Sequence, residues 1–292
     1  AAGGGLPQWN CACANCRAAR AGVLPARTQS CVALSADGER WFLVNASPDL
    51  RAQIESFPAL HARELRGTPI EAVLFTNADL DHVLGAFILR ESGTVALHAT
   101  FAVRETLATG LRLDAVLRAF AEVRWIDAPA QFSPLLDRAG SPSGISYRAI
   151  PLPGGPPPYA SECKWEASGH SAAFQFADDA TGSRLLIAPD VAEITAPLRA
   201  AVGESDAVLI DGTFWSDDEL RAVRPSARTA REMGHVPISG GTLDLVRESP
   251  ARYKAFVHIN NTNPILMPGS RERAAVESAG VVVAEDGSEF AV

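Results

Sequence analysis

Short apolar runs that end in acidic or imidazole residues constrain this fold more than any other feature of the sequence. Such runs, bounded by turn residues, predict buried strands. The polar residues at or after their ends are Asp79, Asp81, His82, Asp190, Asp211 and His258. Because side chains at strand ends can converge on one edge of a sheet, the pattern predicts a layered α/β fold with two sheets and a polar site at a sheet edge.

The runs and the turns between them also predict individual elements. Residues 32–47 indicate a hairpin around Asp37-Gly38, whereas 82–92 and 101–122 have the apolar spacing of helices. The other segments predicted to contain strands are 72–79, 94–100, 145–152, 172–178, 183–190, 206–215, 255–264 and 281–287. The sequence has neither a repeat nor a long charged tail, so we expect one domain over residues 1–292.

Composition argues against several functional classes. The chain has 292 residues, of which 47% are hydrophobic, which is enough for a large buried core. A net charge of -8 argues against a nucleic-acid or anionic membrane surface. The sequence contains no apolar run of about 18 residues and no secretory signal, so we expect neither a membrane span nor export. The opening AAGGG resembles a turn that leaves a strand, and we expect the first N-terminal strand of the fold to be missing.

The cysteines are few and unevenly placed. There are five, and three of them crowd the segment at about 9–20. The clustered residues are Cys11, Cys13 and Cys16. Thiolates at this spacing suit a tetrahedral zinc ion, which usually has four ligands. The candidates for the fourth ligand are Cys31, His235 and a group that the fold brings close. We interpret the cluster as a structural zinc site rather than as unrelated buried cysteines. The odd number, with Cys163 standing apart, favours the reducing cytoplasm over a disulfide framework.

The segment TNADLDH, residues 76–82, follows the apolar run 72–75. Asp79, Asp81 and His82 can point inward together from a tight loop. Carboxylates with imidazole bind iron, manganese or zinc and leave coordination positions open. The alternative is a helix N-cap at Asp79 or Asp81, which does not need the histidine.

Other histidines also lie at turns and strand ends. His170 lies between a proline-rich loop and a strand, where a histidine is usually a surface residue. Asp190 is by itself more often a turn residue. His235 lies in a glycine-flanked loop and is a candidate acid, base or substrate contact. Three asparagines closely follow His258, and their density suits turn hydrogen bonds or ligand contacts rather than a core.

Taken together, these segments resemble the metallo-β-lactamase superfamily and, within it, the pyrroloquinoline quinone (PQQ) biosynthesis protein B family. The stretches that carry the resemblance extend over nearly the whole chain; they are AAGGGLPQWNCACANC, ARTQS, NASPDLR, TNADLDH, PPPYA, DGTFWSDDE, MGHVPISG and HINNTNPIL. The resemblance implies an αββα sandwich with metal ligands at one edge. The cysteine cluster is similar to a structural zinc site of this family.

The resemblance also implies a ligand set. The superfamily box H-x-H-x-D-H reads Asn77-x-Asp79-x-Asp81-His82 here, and later positions of the pattern match further residues. The metal ligands implied in this way are Asp79, Asp81, His82, His170, Asp190 and His258. Where the family pattern has Gly-Asp-Asn and Ala-Pro-Gly, this chain has Gly169-His170-Ser171 and Ala188-Pro189-Asp190. It therefore retains two more potential ligands, His170 and Asp190. Because of this difference, the resemblance alone does not establish that the chain takes the usual substrate of the family.

We therefore expect a non-haem iron enzyme. Asp81, His82 and His258 can supply the ligand set of two histidines and one carboxylate that many Fe(II) oxygenases use. The resemblance implies hydroxylation of a tyrosine-derived or peptide-derived precursor in PQQ biosynthesis, with zinc or manganese as alternative metals. The residues expected in catalysis are His235 and Asp81, and those expected to contact substrate are Asn77, Asn260 and Asn261.

Two other functions stay open. A dinuclear zinc or manganese hydrolase of phosphodiesters, esters or lactams is favoured by His170 and Asp190 and disfavoured by Asn77 and Asp79. A carrier would bind PQQ or its precursor without chemistry. In each case the expected partner is a small molecule or a short peptide, and the oligomeric state stays open.

Overall fold

A computed structural model describes residues 1–162 and 169–292, so Cys163 lies outside the described residues. The chain forms two compact units. The internal unit consists of residues 31–182, and the terminal unit consists of residues 1–30 together with 183–292. The single domain expected over 1–292 stays a prediction.

The regular elements, in chain order, are as follows. The strands of the described residues are β1 (Val32–Leu34), β2 (Trp41–Val44), β3 (Ile70–Leu74), β4 (Thr94–Ala99), β5 (Glu122–Asp127), β6 (Ser133–Leu136), β7 (Pro142–Leu152), β8 (Ser171–Asp178), β9 (Arg184–Ala188), β10 (Ala207–Asp211), β11 (Tyr253–Val257) and β12 (Val282–Val283). The α-helices are α1 (Ala14–Arg20), α2 (Leu50–Ser56), α3 (Leu80–Val83), α4 (Phe101–Glu105), α5 (Leu113–Leu117), α6 (Ala196–Gly203), α7 (Thr242–Glu248) and α8 (Arg271–Ser278). The 3₁₀ segments are Pro58–Leu60, Leu84–Ser92, Pro158–Ala160, Glu219–Ala222, Arg231–Met233, Ile238–Gly240 and Pro264–Leu266, and Thr106–Gly110 forms a π-helical turn.

In the internal unit, β1 to β5 form a sheet in chain order, in which only β1 runs antiparallel to its neighbour. Strands β6, β7 and β8 pair antiparallel in sequence. The predicted hairpin around Asp37-Gly38 is formed by β1 and β2. The core buries one apolar face of this sheet against helical segments, as expected for parallel strands. Its fully buried members include Leu43, Phe75, Leu97, Val103, Leu107 and Leu117.

Both helices predicted in this unit differ from their expected form. The helix expected over 82–92 is a single α-helical turn, α3, followed by a 3₁₀ segment. The helix expected over 101–122 is broken at Arg112, whose φ of 58° is left-handed, and it gives way to β5 at Glu122. Apolar spacing indicated which faces are buried, but it carries no information on where the backbone must turn.

In the terminal unit, β9 to β12 form a parallel group in the order β12-β11-β10-β9. All residues of β10 are buried, which fits a strand covered on both faces. Because the strands are parallel, their carboxyl ends reach the same edge. In the described part of the chain, no helix combines the length and apolar character that crossing a membrane requires.

Candidate active site

The carboxyl edge of β9, β10 and β11 gathers polar side chains in the terminal unit. Asp190 lies two residues beyond β9, Asp211 is the last residue of β10, and His258 follows β11 directly. Strand register places Asp211 opposite Val257, so Asp211 and His258 lie close together. The sequence-based expectation of a polar site at a strand edge is met within this unit.

Gly212 makes this edge compact. A Cβ atom on Gly212 would lie 2.7 Å from the Cβ of Phe256 and 3.0 Å from the carbonyl oxygen of Val257. Real side chains do not tolerate such contacts with backbone. The glycine therefore allows the end of β10 to approach the end of β11, and its N–H donates to Val257 at 2.8 Å.

Asp211 is the most heavily bonded side chain of the site and is almost completely buried. Its Oδ1 accepts from the backbone N–H (2.9 Å) and the hydroxyl (2.6 Å) of Thr213. Its Oδ2 accepts from the N–H of Val191 at 2.9 Å and from Nδ1 of His235 at 2.8 Å. Burial opposes its ionisation, but the charge and hydrogen bond of His235, together with Thr213, hold the pKa of Asp211 below its ordinary value.

His235 is positioned by its own loop. Its N–H donates to Ala230 at 2.9 Å, and the next residue, Val236, donates to the carbonyl of Val191 at 2.7 Å. Burial alone would lower the pKa of His235, but the neighbouring carboxylate of Asp211, with a smaller contribution from Asp190, raises it. The two side chains therefore favour each other's charged forms.

His258 is oriented by Thr213. The Thr213 hydroxyl lies 2.8 Å from Nδ1 of His258. Because its single proton is best placed on the carboxylate of Asp211, the hydroxyl accepts from His258 Nδ1–H. The proton on Nδ1 leaves the lone pair of the ring on Nε2, the form that ligates metals. The backbone of His258 is left-handed, with a φ of 54°.

A metal ion fits this arrangement. Asp190, His235 and His258 each offer a ligand atom, and the three atoms lie within 4.8 Å of one another. Asp190 Oδ1 lies 3.9 Å from Nδ1 of His235 and 3.6 Å from Nδ1 of His258. Two imidazoles and one carboxylate suit iron, manganese or zinc.

The box predicted from TNADLDH lies in the internal unit. His82 Nε2 is 3.8 Å from Asp81 Oδ2. His82 is fully buried, and its Nδ1 lies 3.2 Å from both Asn45 Nδ2 and Thr76 Oγ1. Asn45 Oδ1 accepts from the N–H of Thr76 at 3.0 Å, which sets the orientation of its amide. The ring of His82 is therefore held through Nδ1.

Gly85 holds this box against the loop of Asn45. Ala46 donates to the carbonyl of His82 at 2.7 Å, and Gly85 donates back to the carbonyl of Ala46 at 2.9 Å. A Cβ atom on Gly85 would lie 2.1 Å from the carbonyl oxygen of Ser47. Only glycine permits this approach, so Gly85 determines where the imidazole of His82 lies.

The remaining box residues have distinct positions. Asp79 occupies the N-cap position of α3, but its side chain makes no capping hydrogen bond, so capping does not explain it. Asn77 Oδ1 accepts from the N–H of Asp79 at 3.0 Å, and Asn77 forms a β-bridge with Ser171. This bridge brings His170, which is buried, beside the box. The larger ligand set that combines these residues with Asp190 and His258 stays a prediction.

The three clustered cysteines lie together in the terminal unit, with sulfur atoms within 4.8 Å of one another. Burial raises the pKa of Cys16 to about 11, so three thiolates here need a cation. The candidates for a fourth ligand are engaged elsewhere. His235 donates to Asp211, and the thiol of Cys31 lies 3.2 Å from the carbonyl of Asn45, with its pKa raised to about 12 by burial.

Asn261, expected to contact substrate, has its side chain at the cysteine cluster instead. Its Nδ2 lies 3.2 Å from Sγ of Cys11, 3.2 Å from Sγ of Cys16 and 3.5 Å from Sγ of Cys13. Asn260, also expected to contact substrate, donates to Thr262 at 2.5 Å. Of the side chains that orient the site, Asp211 has a signal in the sequence, since it ends an apolar run, whereas Thr213 and Asn45 have none.

Comparison with known proteins agrees with this architecture. The sequence profile described as "Beta-lactamase superfamily domain" matches residues 40–259, so the chain has the fold of the β-lactamase superfamily. The chain is 44% identical to the coenzyme PQQ synthesis protein B of Methylobacterium nodulans, over 98% of this chain and 96% of that protein. It is 42% identical to the protein of the same description from an Azoarcus species, over the same shares of the two chains. The chain belongs to the coenzyme PQQ synthesis protein B family.

Solved structures give the same result. The crystal structure described as Zn(2+)-bound PqqB from Methylobacterium extorquens matches with a TM-score of 0.88 and 36% identity, covering 100% of this chain and 97% of that one. A diphosphatase from the PhnP family matches with a TM-score of 0.68 and 17% identity, covering 100% and 95% of the two chains; this likeness concerns the fold alone. The predicted metallo-β-lactamase fold class is confirmed.

Proposed function

We propose that this chain is a metal-dependent enzyme of PQQ biosynthesis that hydroxylates a tyrosine-derived or peptide-derived precursor with Fe(II) as cofactor. The observation that carries the proposal is the set of donor atoms from Asp190, His235 and His258 within 4.8 Å of one another. Two imidazoles and one carboxylate form the ligand set of many Fe(II) oxygenases. The description of the relatives as coenzyme PQQ synthesis protein B supports the pathway.

The side chains around this set have defined tasks. Asp211 Oδ2 lies 2.8 Å from Nδ1 of His235, and Thr213 Oγ1 lies 2.8 Å from Nδ1 of His258, so these partners fix the orientation of both rings. Fe(II), when bound, supplies the activation of dioxygen. In the overall reaction one oxygen atom enters an aromatic C–H bond as a hydroxyl group and the other leaves as water. An added reductant such as ascorbate supplies the two electrons.

Oxygen consumption by the iron-loaded protein tests this proposal. Protein purified without oxygen is loaded with Fe(II) and given ascorbate, air and tyrosine-containing peptides. We expect oxygen uptake that depends on the peptide, with one added oxygen atom in the product by mass spectrometry. His258→Ala abolishes the uptake, whereas Asp218→Asn, at an exposed carboxylate of the same unit, leaves it unchanged. The absence of uptake with every phenolic substrate would contradict the proposal.

A metal-dependent hydrolase of phosphodiesters or esters is the second candidate, because Asp211 raises the pKa of His235. A protonated His235 would donate its proton to a leaving group instead of ligating the metal. The two functions therefore differ in the state of one imidazole. Adding Zn²⁺ or Fe(II) removes the NMR titration of His235 if it is a ligand and preserves the titration if it is an acid. Turnover of chromogenic phosphodiesters with zinc or manganese would favour the hydrolase.

A further inference from the structure

The amide of Asn261 lies at the open face of the cysteine cluster. Its terminal atom, assigned as Nδ2, contacts all three sulfur atoms at 3.2, 3.2 and 3.5 Å. Asn261 is buried. A side chain that makes three nearly equal contacts to three sulfur atoms occupies the position above the centre of their triangle.

This position matches the missing vertex of a tetrahedral zinc site. Zinc lies about 2.3 Å from thiolate sulfur and about 2.1 Å from an oxygen ligand. In a tetrahedron these lengths separate the oxygen from each sulfur by about 3.6 Å, which is close to the distances from the Asn261 amide. The oxygen and nitrogen atoms of an amide exchange places by a half rotation of the group.

The backbone of Asn261 is held in place for this role. Asn15, in the same helix as Cys16, donates its amide to the carbonyl of Asn261 at 3.0 Å and to that of Asn263 at 2.9 Å. The loop is thus fixed to the helix that carries the thiols by contacts that do not depend on the side chain of Asn261. A ligand held by its backbone in this way needs little reorganisation when the ion binds.

We propose that Asn261 is the fourth ligand of the zinc site formed by Cys11, Cys13 and Cys16, and that it binds through its carboxamide oxygen. The residue that ligates this ion lies three positions after His258. Zinc binding therefore fixes the loop that follows β11, in addition to the N-terminal segment.

Cobalt(II) substitution isolates this site from any other metal, because only thiolate ligation gives the sulfur-to-metal charge-transfer absorption. Cobalt and zinc affinities are measured on this band by competition with a chromophoric chelator. We expect Asn261→Ala to weaken binding by about 10-fold or more, since it removes a ligand. Asn261→Asp, which keeps an oxygen atom at the vertex, binds as tightly as the natural protein or more tightly. Asn10→Asp, which adds the same charge at an exposed position next to Cys11, leaves the affinity unchanged.

The aspartate variant decides between a ligand and a hydrogen-bond donor. A carboxylate cannot donate to thiolates and would repel them, so an Asn261→Asp affinity as low as or lower than that of Asn261→Ala would overturn the proposal. A crystal structure of the zinc-loaded natural protein decides the point even if the variants do not fold. The Asn261 oxygen should lie at bonding distance from zinc, and a water molecule at that vertex would also overturn the proposal.

Discussion

The carboxylate of Asp211 accepts a hydrogen bond of 2.8 Å from Nδ1 of His235, and this contact sets both the orientation and the charge of the imidazole. Asp211→Asn removes the charge and leaves an amide among donors. We expect the pKa of His235 to fall, as seen by NMR titration, and activity to decrease by about 10- to 100-fold. Asp218→Asn serves as the control. An unchanged titration of His235 would show that Asp211 does not govern its charge.

Thr213 connects Asp211 with His258. Thr213→Val keeps the shape but removes the hydroxyl that accepts from His258 Nδ1. We expect metal affinity to fall by about 10- to 100-fold, measured by chelator competition, because the ring loses its preferred tautomer. Thr213→Ser retains the hydroxyl and should retain the affinity. Retained affinity in Thr213→Val together with lost affinity in Thr213→Ser would mean that the methyl group matters and the hydrogen bond does not.

Gly85 allows the segment of His82 to approach the Asn45 loop. Gly85→Ala places a methyl group against the carbonyl of Ser47, so we expect a loss of about 1–3 kcal/mol or more in the free energy of unfolding, measured in urea. The control is Gly203→Ala at the end of α6, where an added Cβ meets nothing within 4 Å. That change should leave stability unchanged or raise it by up to about 1 kcal/mol.

Glu219 makes stability depend on pH. Burial raises its pKa to about 7 from an ordinary value of 4.5, although the hydrogen bonds from Thr262 and Trp215 oppose this shift. The folded protein therefore holds this proton more tightly than the unfolded chain. Its contribution to stability, about 3 kcal/mol, is complete below about pH 4.5 and is lost as the pH rises through about 7.

Glu219→Gln tests this dependence. The amide keeps an acceptor for the N–H of Trp215, and Thr262 can accept from its NH₂ group. We expect urea titrations from pH 5 to about pH 8 to lose most of this pH dependence in the variant. The same slope in both proteins would assign it to other groups.

Strand positions were accessible from the sequence because apolar runs report burial directly. The runs at 94–100 and 206–215 became β4 and β10, and Asp211 at the end of β10 marked the site edge. The backbone reversals were not accessible, since the break at Arg112 and the 3₁₀ segment after Val83 depend on contacts far away in sequence. Outer hydrogen-bond partners were also missed, because Thr213 and Asn45 differ from ordinary turn residues only in what they contact.

Asn261 illustrates the same limit. Its sequence context, three asparagines after an apolar run, indicated turns or ligand contacts equally. Only the structure shows that it contacts the cysteine cluster, in which Cys11 lies 250 positions earlier in the chain. A long-range pairing of this kind has no local signature.

The left-handed backbone of His258 has an evolutionary consequence. A side chain in this conformation costs about 1 kcal/mol relative to glycine. Removing the buried imidazole would lose its contact with Thr213 and leave a cavity, which costs more than the strain it relieves. Every other side chain introduced at position 258 would carry the same strain without that contact, so the main chain as well as the ring restricts which residues can replace this histidine.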